Sequence, residues 1–144
     1  MSAKFFVDTN ILIYAHDRTM GVKHLRAQLL LEQLWNSGQG VLSTQVLQEL
    51  CLNLRRKAAN PLPLDEVRLL IREYSTWEMV TNTPDSVLRA LDLEARYKVS
   101  FWDALILQAA DYAGASVVYS EDLAAGQHYG AVQVVNPLID PVAV

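Results

Sequence analysis

Four acids stand where carboxylates can do chemistry: Asp8, Glu49, Asp103 and Asp122. Asp8 ends the short apolar run Phe5-Phe6-Val7, and Thr9 and Asn10 follow before Ile11 and Leu12 resume the apolar pattern. A run this short, rich in Phe and Val, reads as a buried parallel strand. The polar triplet then falls where strand gives way to helix, the edge of an open α/β sheet at which ligands bind. Two readings stand for Asp8. It is either the first member of a metal-binding pocket or an N-cap, a place that Asp, Thr and Asn all fill well.

Asp122 follows the run Ser116-Val117-Val118-Tyr119 by way of Ser120 and Glu121. If that run and the first are parallel strands of one sheet, Asp8 and Asp122 project from the same edge. Glu49 lies in the second turn of a helix expected over 44–57, outside the stripe of Val46, Leu47, Leu50, Cys51 and Leu54, with Asn53 one turn on. It is a pocket acid or a solvated one. On the helix from Phe101 to Ala113 the polar side carries Gln108 and Asp111, whereas Asp103 falls between Leu107 and Ala110. A carboxylate among apolar neighbours is paired or bound, because an isolated buried charge is costly. Ser100 and Asp103 also have the spacing of a capping box, which leaves a purely local role open.

Such acids suit a hard divalent cation, Mg²⁺ or Mn²⁺, which takes oxygen ligands from a few carboxylates and water. An ion of this kind acidifies bound water and holds a phosphoryl oxygen, so no protein nucleophile is required. No other metal signature is present: Cys51 is single, and His16, His24 and His128 have no ligand spacing. A Gly-rich phosphate loop is absent from the sequence as well.

The elements that must position these acids alternate. Strands are expected near residues 4–7, 40–43, 77–80, 116–119 and 132–135. Helices are expected over 22–35 (stripe Leu25, Leu29, Leu30, Leu34), 44–57, 64–74 (Val67, Leu70, Ile71), 83–97 (Val87, Leu88, Leu91, Ala95) and 101–113. Ser120 to Gly130 reads as a loop with one turn of helix. Strands alternating with helices predict a parallel sheet covered on both faces.

The chain has 144 residues, 51% of them hydrophobic, which suits one packed domain over residues 1–144. Asp8 interrupts the N-terminal apolar run too early for a signal peptide. No apolar stretch reaches the ~18 residues of a membrane span, so a cytoplasmic protein without membrane attachment is expected. The net charge of −4 speaks against a nucleic-acid partner, but bound cations would offset it. Basic residues also cluster locally, as Arg18, Lys23, His24 and Arg26 and as Arg55, Arg56 and Lys57. Trp35, Trp77 and Trp102 can stack bases, but their positions read as core.

Val-Asp-Thr-Asn near the N-terminus, Gln-Glu-Leu in mid-chain, then Trp-Asp-Ala and Ser-x-Asp-Leu together resemble the PIN domain. Within that family the chain is similar to the VapC-type toxins of prokaryotic toxin–antitoxin pairs. The resemblance implies an α/β/α sandwich with a parallel sheet of four or five strands, and a Mg²⁺- or Mn²⁺-dependent endoribonuclease. It carries Asp8, Glu49, Asp103 and Asp122 over as the acidic quartet. Asp8, Asp103 and Asp122 would be metal ligands, Glu49 would place a second ion or the attacking water, and Thr9, Asn10 and Ser120 would be supporting polar groups. It implies an RNA substrate, a homodimer and a small antitoxin partner. Glu121 is an extra acid that competes with Asp122 for the pocket. Two other readings remain: a non-catalytic PIN-like module binding RNA or protein, and a phosphatase with Asp8 as nucleophile. The second lacks the acid two residues on, where Asn10 stands.

Overall fold

The computed structural model describes residues 3–57 and 60–139, and the side chain of Lys57 lies outside the description. In chain order the strands are β1 (Phe5–Val7), β2 (Gly40–Ser43), β3 (Glu78–Val80), β4 (Val117–Tyr119), β5 (His128–Tyr129) and β6 (Val132–Val135). The helices are α1 (Thr9–His16), α2 (Val22–Ser37), α3 (Thr44–Leu52), α4 (Leu64–Tyr74), α5 (Pro84–Tyr97) and α6 (Phe101–Ala113).

The sheet order is β3-β2-β1-β4-β6-β5. All pairs are parallel except β5 with β6. The chain steps outward from β1 to β2 to β3, then returns to lay β4 on the other side of β1. Right-handed crossovers put the helices of the outward steps on one face and those of the return on the other. Accordingly α1 packs on α2 and α3, α3 packs on α4, and α5 packs on α6, which lies against β2, β3, β4 and β6. The core fills both interfaces. Phe6, Val7, Leu42 and Val118 are fully buried in the strands, against Ile11, Leu30 and Leu50 of one helical layer and Leu107, Ala109 and Ala110 of the other.

Several expectations need correction. A sixth strand exists: the segment after Ser120 ends in β5, which turns back on β6 through Gly130, at φ 63°. Regular α3 stops at Leu52 and continues to Lys57 as a wider π turn, in which the Asn53 side chain donates to Glu49 O at 2.8 Å. The buried face of α2 is His24, Ala27, Leu30, Leu31 and Leu34, while Leu25 and Leu29 are both 59% exposed. The Ala27 side lets α2 approach α1 closely, and His24 Nδ1 donates to Tyr14 O at 2.9 Å. On α5 the stripe is real but uncovered, since Val87, Leu88 and Leu91 are exposed. Gln108 belongs to the core rather than a polar face. It is buried, donates to Asn82 Oδ1 and Leu105 O, and accepts from Arg89. Cys51 is half-buried, and Trp102 lies outside the core altogether. Among the described residues no helix is long and apolar enough to cross a membrane.

Candidate active site

The strand order reverses at β1 and β4, and this is where an open α/β sheet leaves a crevice beyond its carboxyl edge. Asp8 follows β1 directly and Ser120 follows β4. Asp8 N donates to Tyr119 O at 2.9 Å, so the two strand ends stay in register up to the crevice. A pocket of about 230 Å³ opens here, lined by Asp8, Thr9, Asn10, Ile13, Gln45, Glu49, Asn53, Trp102, Asp103, Ile106 and Asp122. All four acids singled out from the sequence line it.

Asp8 fills both roles open to it. It is the N-cap of α1, with Oδ1 accepting from Thr9 N at 2.8 Å, and it forms part of the pocket wall. Its Oδ2 accepts from Ser120 Oγ at 2.8 Å and Asn10 Nδ2 at 3.3 Å. Burial first, and then the charges of Glu49 and Asp122, raise the Asp8 carboxyl to about 6 against the lowering by Ser120 and Thr9.

Two of the neighbouring acids, Glu49 and Asp122, are held by neutral donors. Thr9 Oγ1 donates to Glu49 Oε1 at 2.8 Å, tying the start of α1 to α3. Asn10 Nδ2 also donates to Asp122 Oδ2 at 2.9 Å, so one amide bridges Asp8 and Asp122. Where an aspartyl phosphatase would carry a second acid, Asn10 supplies this bridge. Ser120 Oγ accepts from Asp122 N at 3.2 Å and Leu123 N at 3.3 Å, fixing the turn that carries Asp122. Ser100 caps α6 by accepting from Asp103 N at 3.1 Å, and Asp103 itself lines the pocket. Its charge reaches Tyr129, whose hydroxyl is raised by burial first and by Asp103 second.

Glu121 resolves differently from Asp122. Its carboxylate accepts a short hydrogen bond from Tyr14 Oη and pairs with Lys23 Nζ at 2.7 Å, and it does not line the pocket. Lys23 and Tyr14 hold it below the ordinary carboxylate range, against the opposing effect of burial.

Gln45 escapes the sequence reading as a site candidate, and Trp102, a base-stacking candidate whose position reads as core, lies exposed at the pocket. Gln45, Glu49 and Asn53 recur every fourth residue, and this polar stripe is the signal that marks Gln45. Trp102 is 63% exposed at the pocket. Among the described residues no lysine or arginine lines the pocket, and the side chain of Lys57 lies outside the description. Lys23 is paired to Glu121, Arg26 Nε donates to Pro137 O at 3.1 Å, and Arg18 lines a separate cleft with His16 and His24.

Among the described residues no group of three or more His, Cys, Asp or Glu side chains is drawn close enough together to hold a metal ion. The donor chemistry nonetheless fits a hard cation. It consists of carboxylate, amide and hydroxyl oxygens, and the buried Asp8 carboxylate is costly to ionise without a positive charge beside it.

The fold is shared with solved toxin structures. VapC20 of Mycobacterium tuberculosis, described as a toxin cleaving the sarcin–ricin loop, superposes with TM-score 0.64 at 20% identity, over 83% of this chain and 90% of that one. A toxin–antitoxin complex from Klebsiella pneumoniae gives 0.67 at 24% identity, over 94% and 98%. DNA-bound VapBC from Salmonella typhimurium gives 0.63 at 18%, over 92% and 97%. Comparison with curated proteins gives no match. The PIN-domain family model matches residues 5–128, a span that begins with β1 and contains every acid of the crevice, and the chain therefore belongs to the PIN-domain family.

Proposed function

We propose that the protein is a metal-dependent endoribonuclease, the toxin of a type II toxin–antitoxin pair, acting in the cytoplasm as one PIN-domain unit. The observation that carries this reading is the convergence of Asp8, Glu49, Asp103 and Asp122 on one crevice of a PIN fold. Asp8, Asp103 and Asp122 would hold Mg²⁺ or Mn²⁺, with Glu49 at a second ion or at the attacking water. Bound there, the ion would supply acidification of water and charge neutralisation at a phosphoryl oxygen of RNA. Asn10 and Thr9 keep the carboxylates spaced, and Ser120 holds Asp8 and the Asp122 turn in place. Ile13 and Ile106 add apolar wall to the largely polar pocket.

Protein partners are supported by apolar surface. Val87, Leu88 and Leu91 form an exposed face on α5, suited to a homodimer contact. An open groove of about 500 Å³ runs along Leu47, Cys51, Leu52 and Ile71, with Gln48 and Arg55 at its rim, and would suit a segment of a small antitoxin.

The test is cleavage of a mixed pool of structured RNAs with Mn²⁺, with Mg²⁺ and with chelator, beside an Asp8→Asn variant. Cutting that requires the ion and falls roughly 100-fold or more in the variant is expected. Equal cutting by wild type and variant, or cutting in chelator, would overturn the reading.

A further inference from the structure

Resting on the nuclease reading, we propose that Trp102 and Gln45 form a nucleotide subsite beside the acidic crevice, in which the Trp102 indole stacks the base and Gln45 Oε1 accepts a hydrogen bond from the ribose 2′-hydroxyl. Trp102 immediately precedes Asp103 at the start of α6, so its ring is joined to the acidic wall through one peptide unit. The ring is 63% exposed, an unusual state for a tryptophan that lines a pocket. Phe101 packs edge-on against it, with centroids 5.5 Å apart and planes at 74°, which leaves an indole face free for a flat partner. Successive bases stack on such platforms in single-stranded nucleic-acid sites.

Gln45 supplies the second observation. It is only 5% exposed and lines the same pocket. Its Nε2 donates to Trp102 O at 3.3 Å. Because a carbonyl only accepts, that contact fixes the amide orientation and leaves Oε1 as the remaining end. Oε1 is buried and has no hydrogen-bond partner among the described residues. A buried acceptor left unmatched is costly, and a bound molecule that donates to it recovers that cost. A nucleotide with its phosphate at the acids and its base on Trp102 places its sugar between them, at Gln45. The 2′-hydroxyl is the donor of that sugar, and it is the group by which a protein tells RNA from DNA. Gln45 is therefore a specificity-determining residue and Trp102 a stacking residue.

The experiment uses randomised single-stranded 12-mers, as RNA, as 2′-fluoro RNA and as DNA, bound to the protein in Ca²⁺ and followed by anisotropy and tryptophan fluorescence. Wild type should prefer RNA over 2′-fluoro RNA, which keeps the sugar pucker but loses the donor. Trp102→Ala should weaken all three pools by roughly 5- to 150-fold, and Trp102→Phe should restore part of the loss. Gln45→Met should abolish the preference for RNA, about five- to tenfold, while leaving 2′-fluoro RNA binding near wild type. Equal wild-type binding of RNA and 2′-fluoro RNA overturns the role of Gln45. So does a Gln45→Met variant that melts like wild type and loses affinity for all pools alike, because Gln45 would then only brace Trp102. RNA binding unchanged in Trp102→Ala overturns the stacking role, and a concurrent change in oligomeric mass would assign the ring to a protein contact. Wild type that neither binds nor cuts RNA would instead remove the nuclease reading itself.

Discussion

Asp8 combines two demands that ordinarily fall on different residues. As a cap it accepts from a backbone amide, and as a pocket acid it sits buried with Glu49 and Asp122 nearby. The second demand has a pH signature. The Asp8 carboxyl is raised from 3.8 to about 6 in the folded chain. Between those values the unfolded state has lost its proton and the folded state keeps it, so this contribution to stability is full below the lower value. It declines as pH rises through the upper one. By pH 7 the ionised carboxylate costs the metal-free fold roughly 3 kcal/mol. Asp8→Asn removes the titration. Urea denaturation of metal-stripped protein should show the variant gaining on wild type by about 2–3 kcal/mol from pH 4 to pH 7. A difference that stays flat with pH would mean the carboxylate is not strained by burial. The residue types of this site were legible because strand ends and caps write themselves locally. Gln45 was not, because its environment depends on α6 arriving from the other side of the sheet.

At the scale of elements, close packing decides what is tolerated. Gly40 opens β2 against the Trp77 ring, and a Cβ there would lie 2.3 Å from Trp77 Cζ3. Trp77 is packed against Trp35 and Tyr74 and cannot swing away freely. Gly40→Ala should therefore cost about 1–3 kcal/mol, read from a thermal melt, with no change in divalent-ion affinity because the site lies at the opposite end of β2. Helix and strand identities were readable from period and punctuation. What periodicity cannot say is whether a stripe is covered: Val87, Leu88 and Leu91 share a face of α5 that remains open. Nor does it resolve β5, whose two residues are too few to show alternation, or the π turn after Leu52, which continues a helical pattern with one more residue per turn.

The molecule as a whole is an outward run of strands, a reversal, and a crevice at the reversal. Parallel pairing of β1 with β4 makes Asp8 and Asp122 neighbours from more than a hundred residues apart. That followed from alternation alone, whereas the position of basic residues did not. Among the described residues no lysine or arginine lines the pocket, so the acids there have no described counter-charge beside them. A divalent ion at a hundred times its Kd should then stabilise the fold by about 2.7 kcal/mol. The melting temperature should rise by roughly 9 °C. Asp8→Asn should lose that gain, and a rise of equal size in the variant would place the ion elsewhere.

The same topology gathers the four acids at one edge of the sheet and puts none of them at the far edge. The turns there run from Gly38 to Gln39 before β2 and from Gly114 to Ser116 before β4. Gly38 and Gly114 adopt left-handed backbone at φ 70° and 76°, are exposed, and have open space around them. Peptide grafted after Gly38 would project away from the crevice by the full length of β2. A fluorophore, a surface tether or a split-reporter fragment placed there would leave the acidic face turned outward, and immobilised molecules would all present the same side to solution.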